Sequence, residues 1–281
     1  MDFFEDEPVS LYLKDLTLIE AVESSHQLIQ LLRHPWLGKI LVINGEIQHI
    51  EKYQTLYHEM LVHLPAAFVP RIESVLIFGG GSLFAANEVL KYPSVGRVVL
   101  CDYDHNVLDI MRKHYVHAES VLNDTRFMYV EHDGHDYITK ETDKYDFVIN
   151  DCFNLALESQ RSGVSYFKML SNLCTDTGVC TDIVYRHIFD KQITIETLKS
   201  LQREKRLALS LVTVPEYPGI LHMETIWGNS SFIFQNAREP INDYQKEIIL
   251  GRKEPPFAYY LPNNLRFYLY LPPYIKKMFN L

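Results

Sequence analysis

The segment Val75–Asp104, VLIFGGGSLFAANEVLKYPSVGRVVLCDYD, decides the fold that this sequence predicts. An apolar run comes first, followed by three glycines, a helical pattern and a second apolar run that ends on acids. This is the layout of a nucleoside-binding βαβ unit. Glycines at the turn let a ligand approach the backbone N–H groups. The full GxGxxG pattern is absent because Phe84 takes its last position, so Gly79, Gly80 and Gly81 alone fit a tight structural turn equally well.

Strand and helix patterns alternate on the carboxyl side of this unit. The strand candidates are Ser74–Phe78, Arg97–Cys101, Phe127–Val130, Asp146–Asn150, Val179–Val184, Ala208–Val214 and Glu224–Trp227. Helices are predicted between them, for example at Leu83–Leu90, His105–His114 and Thr194–Arg203. This order predicts an α/β fold, a Rossmann-like domain with a mostly parallel seven-stranded sheet covered on both faces.

The amino-terminal residues have a different pattern, which predicts a small β-rich domain. The stretch LGKILVINGEIQHI has two strand-like runs around Asn44-Gly45, a strong hairpin signal. Residues Tyr57–Phe68 then have helical spacing and end before Pro70. We therefore expect a β-rich domain over residues 1–70 and the Rossmann-like nucleoside-binding catalytic domain over residues 71–281.

The bulk composition excludes several classes of protein. The net charge is −9 and the pI about 5.7, whereas a general nucleic-acid binder should have a basic surface. No apolar run approaches the roughly 18 residues needed to cross a membrane, and the start MDFFEDEP is acidic where a secretory signal is basic. The four cysteines and twelve histidines show no metal-ligand spacing. We expect a soluble, cytoplasmic protein without a metal, a nucleic-acid partner or membrane attachment.

Acidic residues follow the second, third and fourth predicted strands. With the glycine loop before it, Asp102 is predicted to accept both hydroxyls of a ribose, and the alternative is a cap of the following helix, for which Asp104 competes. Asp133-Gly134 could bind the exocyclic amine of adenine or form a plain turn. Asp151 ends the run YDFVIND. Because carboxyl ends of parallel strands meet at one edge of the sheet, these acids and the glycine loop together predict an S-adenosylmethionine-type site.

Four further segments make the chain resemble the spermidine synthases, or polyamine aminopropyltransferases, over nearly its whole length. SSHQLIQ resembles the family's S-x-x-Q segment, and ILVINGEIQHIEKYQTLYHEM resembles its L-D-G-x-I-Q…Y-H-E-M block. VPEYPG (Val214–Gly219) resembles the I-P-T-Y-P-S-G loop, and YYLPNNLRFYLYLP (Tyr259–Pro272) resembles the Y-Y-N…F-x-L-P tail. The order and spacing of these motifs make the resemblance specific.

The resemblance implies a site, a donor and an assembly. The donor would be S-adenosylmethionine or its decarboxylated form, used as a co-substrate, and the protein would be a homodimer. The implied donor-binding residues are Gln27, His58, Gly79, Gly80, Gly81, Ser82, Asp102, Asp133, Gly134 and Asp151. The implied catalytic and acceptor-side residues are Tyr57, Tyr217, Asp151 and Asn154, the last two lying in a segment that covers the active site.

The chain departs from the family pattern around this site. The family's GGGD is GGGS here, so Ser82 replaces an aspartate, and D-S-S-D is Asp151-Cys152-Phe153-Asn154, so Asn154 replaces the second aspartate. The E-R-D-E segment is EKYQ, which loses two acids, and a tryptophan is replaced by His222. An amide such as that of Asn154 cannot accept a proton from an attacking amine.

Two hypotheses follow from these differences. The acceptor, a small molecule or a modified peptide as in peptide-nucleotide antibiotics, could be a phosphate, carboxylate or thiolate that needs no base. The donor could be intact S-adenosylmethionine, which would transfer a 3-amino-3-carboxypropyl group. Arg161 could pair with its carboxylate, although an exposed loop arginine is the favoured interpretation of Arg161. The alternatives are an ordinary spermidine synthase that uses putrescine, a methyltransferase, an intramolecular cyclase of the donor, and an inert nucleoside-binding homologue.

Overall fold

The computed structural model describes residues 3–4, 11–152, 155–184, 206–217, 222–229 and 242–279. Its amino-terminal strands form two antiparallel sheets. The pair β1 (Phe3–Phe4) and β2 (Tyr12–Leu13) forms one; the other has the order β3 (Thr17–Glu23), β4 (Leu28–His34), β5 (Gly38–Ile43), β6 (Glu46–Ile50). The predicted hairpin is confirmed at β5–β6, where Asn44 (φ 51°) and Gly45 (φ 82°) both have the positive φ of a type I′ turn.

The second sheet has seven strands, as the sequence predicts. These are β7 (Ser74–Gly79), β8 (Arg97–Asp102), β9 (Phe127–Glu131), β10 (Tyr145–Asp151), β11 (Cys174–Val184), β12 (Arg206–Val212) and β13 (His222–Gly228). Their order is β12-β13-β11-β10-β7-β8-β9, with β7 to β11 parallel and the β11–β13 and β12–β13 pairs antiparallel. The mostly parallel α/β sheet is thus confirmed, and the carboxyl ends of β7, β8 and β10 lie side by side.

Strand β11 begins earlier than the sequence predicts. It starts at Cys174 rather than Val179, and its pairing with β10 shifts register between Tyr145 and Phe147. A Cβ at Gly178 would lie 2.8 Å from the carbonyl oxygen of Tyr145, so the backbones approach closely there. The polar residues before Val179 join the strand through this irregular pairing, which an apolar pattern does not mark.

Helices cover both faces of the seven-stranded sheet. They are α1 (Gln54–Ala66), α2 (Phe84–Val89), α3 (His105–His114), α4 (Val116–Leu122), α5 (Gly134–Lys140), α6 (Leu155–Ser162), α7 (Tyr166–Leu173), α8 (Asp243–Ile249), a 3₁₀ turn (Pro262–Asn264), α9 (Leu265–Tyr268) and α10 (Pro273–Phe279). The predicted helix at Thr194–Arg203 lies outside the described residues. None of the helices described has the length and apolar character that a membrane crossing requires.

Helix α1 links the amino-terminal strands to the large sheet. It packs against α2, β10 and β11, and its residues from His58 to Ala66 are buried. The carboxylate of Glu59, on this helix, accepts backbone N–H groups from residues 258, 259 and 260 at 2.6–2.7 Å, which fixes the Tyr-rich tail on the helix. The division of the chain at residue 70 stays a prediction.

Candidate active site

A cavity of about 460 Å³ opens at the carboxyl ends of β7, β8 and β10, against the amino-terminal sheet. The sheet-end walls are formed by Gly79, Gly80, Gly81, Ser82, Asp102, Tyr103, Val107, Asp151 and Cys152. Opposite them lie Gln27, Leu41, Ile43, Asn44, Glu46, Ile47, Gln48, His49, Gln54, Tyr57 and His58, and the segment after β12 adds Val214, Glu216 and Tyr217. Most of the residues proposed from the sequence therefore surround one cavity.

The triple glycine forms the floor of the cavity in a conformation that other residues adopt only with strain. Gly79 and Gly80 have φ values of 71° and 74°, in the left-handed region. A Cβ on Gly79 would overlap the Cβ of Cys152 and lie 2.9 Å from the carbonyl oxygen of Asp151. The glycines are thus required for the close packing of the loop on the end of β10.

Asp102 and Asp104, at the end of β8, make different contacts, and the sequence alone did not show which of them caps the next helix. Asp104 caps α3 by accepting the backbone N–H of Asn106 at 3.1 Å. Asp102 lies on the cavity wall instead, where its Oδ2 accepts the N–H of Gly81 at 3.1 Å and its Oδ1 that of Asp104 at 3.2 Å. Burial raises the pKa of Asp102 although backbone hydrogen bonds oppose the shift. Of the two acids, Asp102 is therefore the one that faces the cavity.

Asp151 and Tyr57 form a hydrogen-bonded pair across the cavity. The phenol of Tyr57 donates to Oδ1 of Asp151 at 2.7 Å. Loss of solvation raises the pKa of Asp151 to about 7, the Tyr57 hydrogen bond lowers it, and the charge of Asp102 raises it. Burial, followed by the charge and hydrogen bond of Asp151, raises the pKa of Tyr57 well above its ordinary value. Asp151 can therefore exchange a proton near neutral pH.

Buried polar groups on the α1 side of the cavity are neutral. Nδ1 of His58 donates to the carbonyl oxygen of Gln54 at 2.8 Å, which leaves Nε2 without a proton. Burial lowers the pKa of His58 to about 4, so the ring carries no charge at neutral pH. Among the described residues, neither Oε1 of Gln54 nor Nδ1 of His49 has a hydrogen-bond partner, although both atoms are buried. Such atoms on a cavity lining suit a polar ligand.

Gln27 is held at the cavity by a contact between the two sheets. The phenol of Tyr103, directly after Asp102, donates to Oε1 of Gln27 at 2.7 Å. Ser24, three residues earlier, donates to Oδ2 of Asp104 at 2.7 Å. The predicted S-x-x-Q segment thus lies against the end of β8, and Gln27 lies on the cavity lining beside Tyr103.

Some of the proposed residues lie elsewhere. Asp133 caps α5 by accepting the backbone N–H groups of His135 (2.8 Å) and Asp136 (3.2 Å), and neither it nor Gly134 lines the cavity. Their contact with adenine stays a prediction. Asn154 lies outside the described residues. Arg161 is exposed, pairs with Glu158 at 3.3 Å and does not line the cavity.

Several cavity residues were not singled out from the sequence as binding residues. They are Gln54, His49, Tyr103, Cys152 and Glu216. Tyr103 and Cys152 each follow a strand-end acid, so position alone could have marked them. Nothing local marks His49 or Glu216, which reach the cavity only through the packing of the amino-terminal sheet and the segment after β12.

The charged side chains on the described cavity lining are all negative. The charged side chains on it are the acids Glu46, Asp102, Asp151 and Glu216, and no lysine or arginine lines it within the described part of the chain. Over the same residues, no group of three or more His, Cys, Asp or Glu side chains could hold a metal ion. The cavity is therefore suited to a cationic ligand.

Comparison with known proteins agrees with this geometry. The spermine/spermidine synthase domain model matches residues 54–236. The chain is 36% identical to polyamine aminopropyltransferase 1 of Aquifex aeolicus over 129 residues, 46% of each chain, so that match spans under half of either protein. Identity to a Buchnera aphidicola polyamine aminopropyltransferase is 26%, covering 92% of this chain and 90% of the relative.

A further relative and a solved structure extend the comparison. Putrescine N-methyltransferase 2 of Nicotiana attenuata is 29% identical, covering 95% of this chain and 73% of its own. The crystal structure of spermidine synthase from Thermotoga maritima superposes with a TM-score of 0.84 at 23% identity, covering 100% of this chain and 94% of that one, which shows the shared fold. Because the family model spans more than half of its residues, the chain belongs to the spermine/spermidine synthase family.

Proposed function

We propose that this protein transfers an aminopropyl group from decarboxylated S-adenosylmethionine to an amine acceptor and releases methylthioadenosine. The main support for this function is the acid-lined cavity at the glycine loop, in a chain of the spermine/spermidine synthase family. The polyamine aminopropyltransferases among its relatives support the same reaction class. A solved spermidine synthase with the same fold, TM-score 0.84 at 23% identity, is in complex with the transition-state analogue AdoDATO.

The charges of the cavity favour the decarboxylated donor. This donor carries a sulfonium and an ammonium group but no carboxylate. Intact S-adenosylmethionine would place its carboxylate among the acids of the lining, where no described lysine or arginine could pair with it. Arg161, the partner that the sequence suggested, is exposed and pairs with Glu158 instead. Ser82 reduces the negative charge at the glycine loop but brings no positive charge.

The acidic side chains of the cavity lining also indicate which charge the acceptor should have. A phosphate or carboxylate acceptor would enter a lining whose charged groups are all acids, so the expectation of an anionic acceptor finds no support among the described residues. A protonated amine matches the lining. The acceptor amine has a pKa of roughly 10 in water and must lose its proton before its nitrogen can attack.

Asp151 is the group that we assign to take this proton. Its pKa of about 7 leaves a large share of the carboxylate ionised at neutral pH, and the Tyr57 hydrogen bond fixes its orientation. The nitrogen lone pair attacks the methylene carbon next to the sulfonium, the carbon–sulfur bond breaks and the sulfur keeps the electron pair as a thioether. The proton of the amine passes to Asp151, which can thus act in place of the aspartate replaced by Asn154.

Methyl transfer is the second candidate, because putrescine N-methyltransferase 2 is 29% identical over 95% of this chain. That reaction would use intact S-adenosylmethionine and release S-adenosylhomocysteine instead of methylthioadenosine. Cyclisation of the donor would give a nucleoside product without any acceptor, and an inert homologue would give none. The nucleoside product and its dependence on the acceptor separate these alternatives.

Donor binding tests the charge argument. Isothermal titration should give a dissociation constant for decarboxylated S-adenosylmethionine at least about tenfold lower than for the intact molecule, since like charges placed together cost several kcal/mol. Methylthioadenosine, which lacks the charged tail, serves as the reference for nucleoside binding. Equal or tighter binding of intact S-adenosylmethionine would contradict the proposed donor.

Replacement of Asp102 with alanine tests the proposed ribose contact. We expect the variant to bind methylthioadenosine about ten to a hundred times more weakly, because hydrogen bonds to a carboxylate are lost. Asn242→Ala is the control, since it removes the α8 cap away from the cavity lining and should lower the melting temperature while nucleoside affinity stays within about threefold. Equal losses of affinity in both variants would contradict the assignment.

Dimerisation and cytoplasmic location remain predictions from the resemblance and from composition. The single chain has large exposed aromatic side chains on its carboxy-terminal segment, among them Phe267, Tyr270 and Tyr274. Light scattering of the purified protein would measure its mass directly.

A further inference from the structure

Two buried polar side chains lie opposite each other in the last strand pair of the large sheet. Ser210 on β12 and Glu224 on β13 are direct partners in the antiparallel register, and both are fully buried. Among the described residues, neither Oγ of Ser210 nor Oε2 of Glu224 has a hydrogen-bond partner. Directly opposite residues have Cβ atoms about 4.5–5.5 Å apart, so these two side chains are within reach of each other.

The carboxyl group of Glu224 has little to compensate a negative charge. The hydroxyl of Thr181, on β11, donates to its Oε1 at 3.2 Å. Burial raises the pKa of Glu224 well above its ordinary value, and among the described residues only the Thr181 hydrogen bond opposes this shift. A buried carboxylate without a cation is costly, whereas a protonated carboxyl carries no charge and has an O–H to donate. The protonated form therefore fits this position better.

Other titratable side chains near Glu224 come from its own strand and from the carboxy-terminal tail. His222 lies two residues earlier, on the same face of β13, and is buried as well. Tyr260 of the tail is fully buried in the same core as Ile226, which also shares this face. A negative charge on Glu224 raises the pKa of Tyr260, so the two side chains are within electrostatic reach.

The β12–β13 pair supports part of the cavity wall. Ser210 and Glu224 lie close to the strand ends that the connection from β12 to β13 joins. That connection includes Glu216 and Tyr217, which line the cavity. A bond between Ser210 and Glu224 therefore fixes the two strands close to the place where they hold the cavity wall.

We propose that Glu224 is a protonated acid in the folded protein at neutral pH and donates its proton to Ser210, which makes it a positioning residue for the β12–β13 connection at the cavity. The folded protein holds this proton, whereas the unfolded chain loses it near the ordinary glutamate pKa of about 4.3. The stability that Glu224 contributes therefore falls as the pH rises above about 4.3, until the pH exceeds the folded-state pKa. Alkaline pH thus loosens the strand pair behind the cavity wall.

The variant Glu224→Gln tests the proposal without any substrate. Glutamine keeps an oxygen for Thr181 and can donate its NH₂ group to Ser210, but it does not titrate. The melting temperature of the variant relative to wild-type protein should increase by about 4 °C or more between pH 5 and pH 8. At pH 8, hydrogen exchange in peptides from β12 and β13 should be slower than in wild-type protein, and exchange in β3 to β6 should be unchanged.

The matched control is Glu59→Gln, because Glu59 is equally buried but its carboxylate accepts three backbone N–H groups. This variant should melt below wild-type protein by a similar amount at pH 5 and at pH 8. Ser210→Ala removes the acceptor and keeps the acid, so it should lower the melting temperature by about 3 °C or more at pH 5.

Infrared spectroscopy detects the proton itself, because a protonated carboxyl has a carbonyl band that a carboxylate lacks. The difference spectrum of wild-type protein minus Glu224→Gln at pH 7 should contain this band. Absence of the band, or a melting difference that is equal at pH 5 and pH 8, would overturn the protonated state of Glu224. An unchanged melting temperature in Ser210→Ala would overturn the pairing, and exchange slowed equally in β3 to β6 would overturn the positioning role. None of these outcomes depends on the proposed aminopropyl transfer.

Discussion

Replacement of Asp151 with asparagine should lower kcat for aminopropyl transfer by about 10²–10⁴-fold, the range for loss of a general base. Asparagine has nearly the same shape but cannot accept the proton of the attacking amine. Donor affinity should fall far less, since the substitution leaves the proposed nucleoside contacts of Asp102 and the glycine loop unchanged. Steady-state kinetics together with donor titration separate the two effects.

The pH dependence gives a second measurement of the same assignment. The folded-state pKa of Asp151 is raised to about 7, so the carboxylate is protonated below that pH and cannot act as a base. We expect the kcat/KM of wild-type protein to rise as the pH increases through about 7. Asp151→Asn should lack this rise and keep only the dependence caused by the amine, whose pKa is roughly 10.

The variant Tyr57→Phe tests the same assignment by changing the pKa of Asp151. The hydrogen bond from Tyr57 lowers the pKa of Asp151, so its removal should move the rise in kcat/KM to higher pH. Tyr103→Phe is the matched control, because that phenol also borders the cavity but donates to Gln27 and should leave the midpoint of the pH profile unchanged.

An Asp151→Asn variant with more than about a tenth of the wild-type kcat would contradict the role of Asp151 as base.

Replacement of Gly79 with alanine should destabilise the protein by about 2–5 kcal/mol and abolish measurable donor binding. A left-handed φ costs a residue with a side chain about 1–2 kcal/mol, and overpacking costs about 1–3 kcal/mol more. The added Cβ would overlap the Cβ of Cys152 and press on the carbonyl oxygen of Asp151. The loop and the end of β10 must then separate, which deforms the cavity floor.

Gly251→Ala isolates the contribution of the clash. Gly251 has φ +70°, almost equal to the +71° of Gly79, but a Cβ there would meet nothing within 4 Å. Urea unfolding should therefore show only about 1–2 kcal/mol of destabilisation, with donor affinity unchanged. If both variants lose the same free energy of unfolding, the close packing of the glycine loop on β10 is not what constrains Gly79.

The sequence predicted the sheet well, because the parallel strands β7 to β10 each end on a glycine or an acid. Those strand ends converge in any parallel sheet, and Asp102, Asp151 and the glycine loop duly lie on one cavity. The choice between Asp102 and Asp104 as helix cap required the structure, since both residues follow the same strand. For Asp133 the described side-chain bonds are those of a local helix cap, and its contact with adenine stays a prediction.

Long-range packing explains what the sequence did not predict. The Tyr57–Asp151 hydrogen bond joins residues on α1 and β10, and the raised pKa of Asp151 follows from its loss of solvation in the assembled cavity. Glu216 reaches the cavity through a bond to Ile50, which is distant in sequence. Neither contact has a periodic pattern or a spacing that a linear sequence could reveal.

The identity of the nucleoside product decides whether this protein transfers an aminopropyl group. Purified protein is incubated with decarboxylated S-adenosylmethionine and 1,4-diaminobutane, and the nucleoside and amine products are identified by mass spectrometry. We expect equal amounts of methylthioadenosine and the aminopropylated diamine, formed only when the acceptor is present. No turnover of this donor, together with S-adenosylhomocysteine and a methylated amine when intact S-adenosylmethionine is supplied, would contradict this expectation.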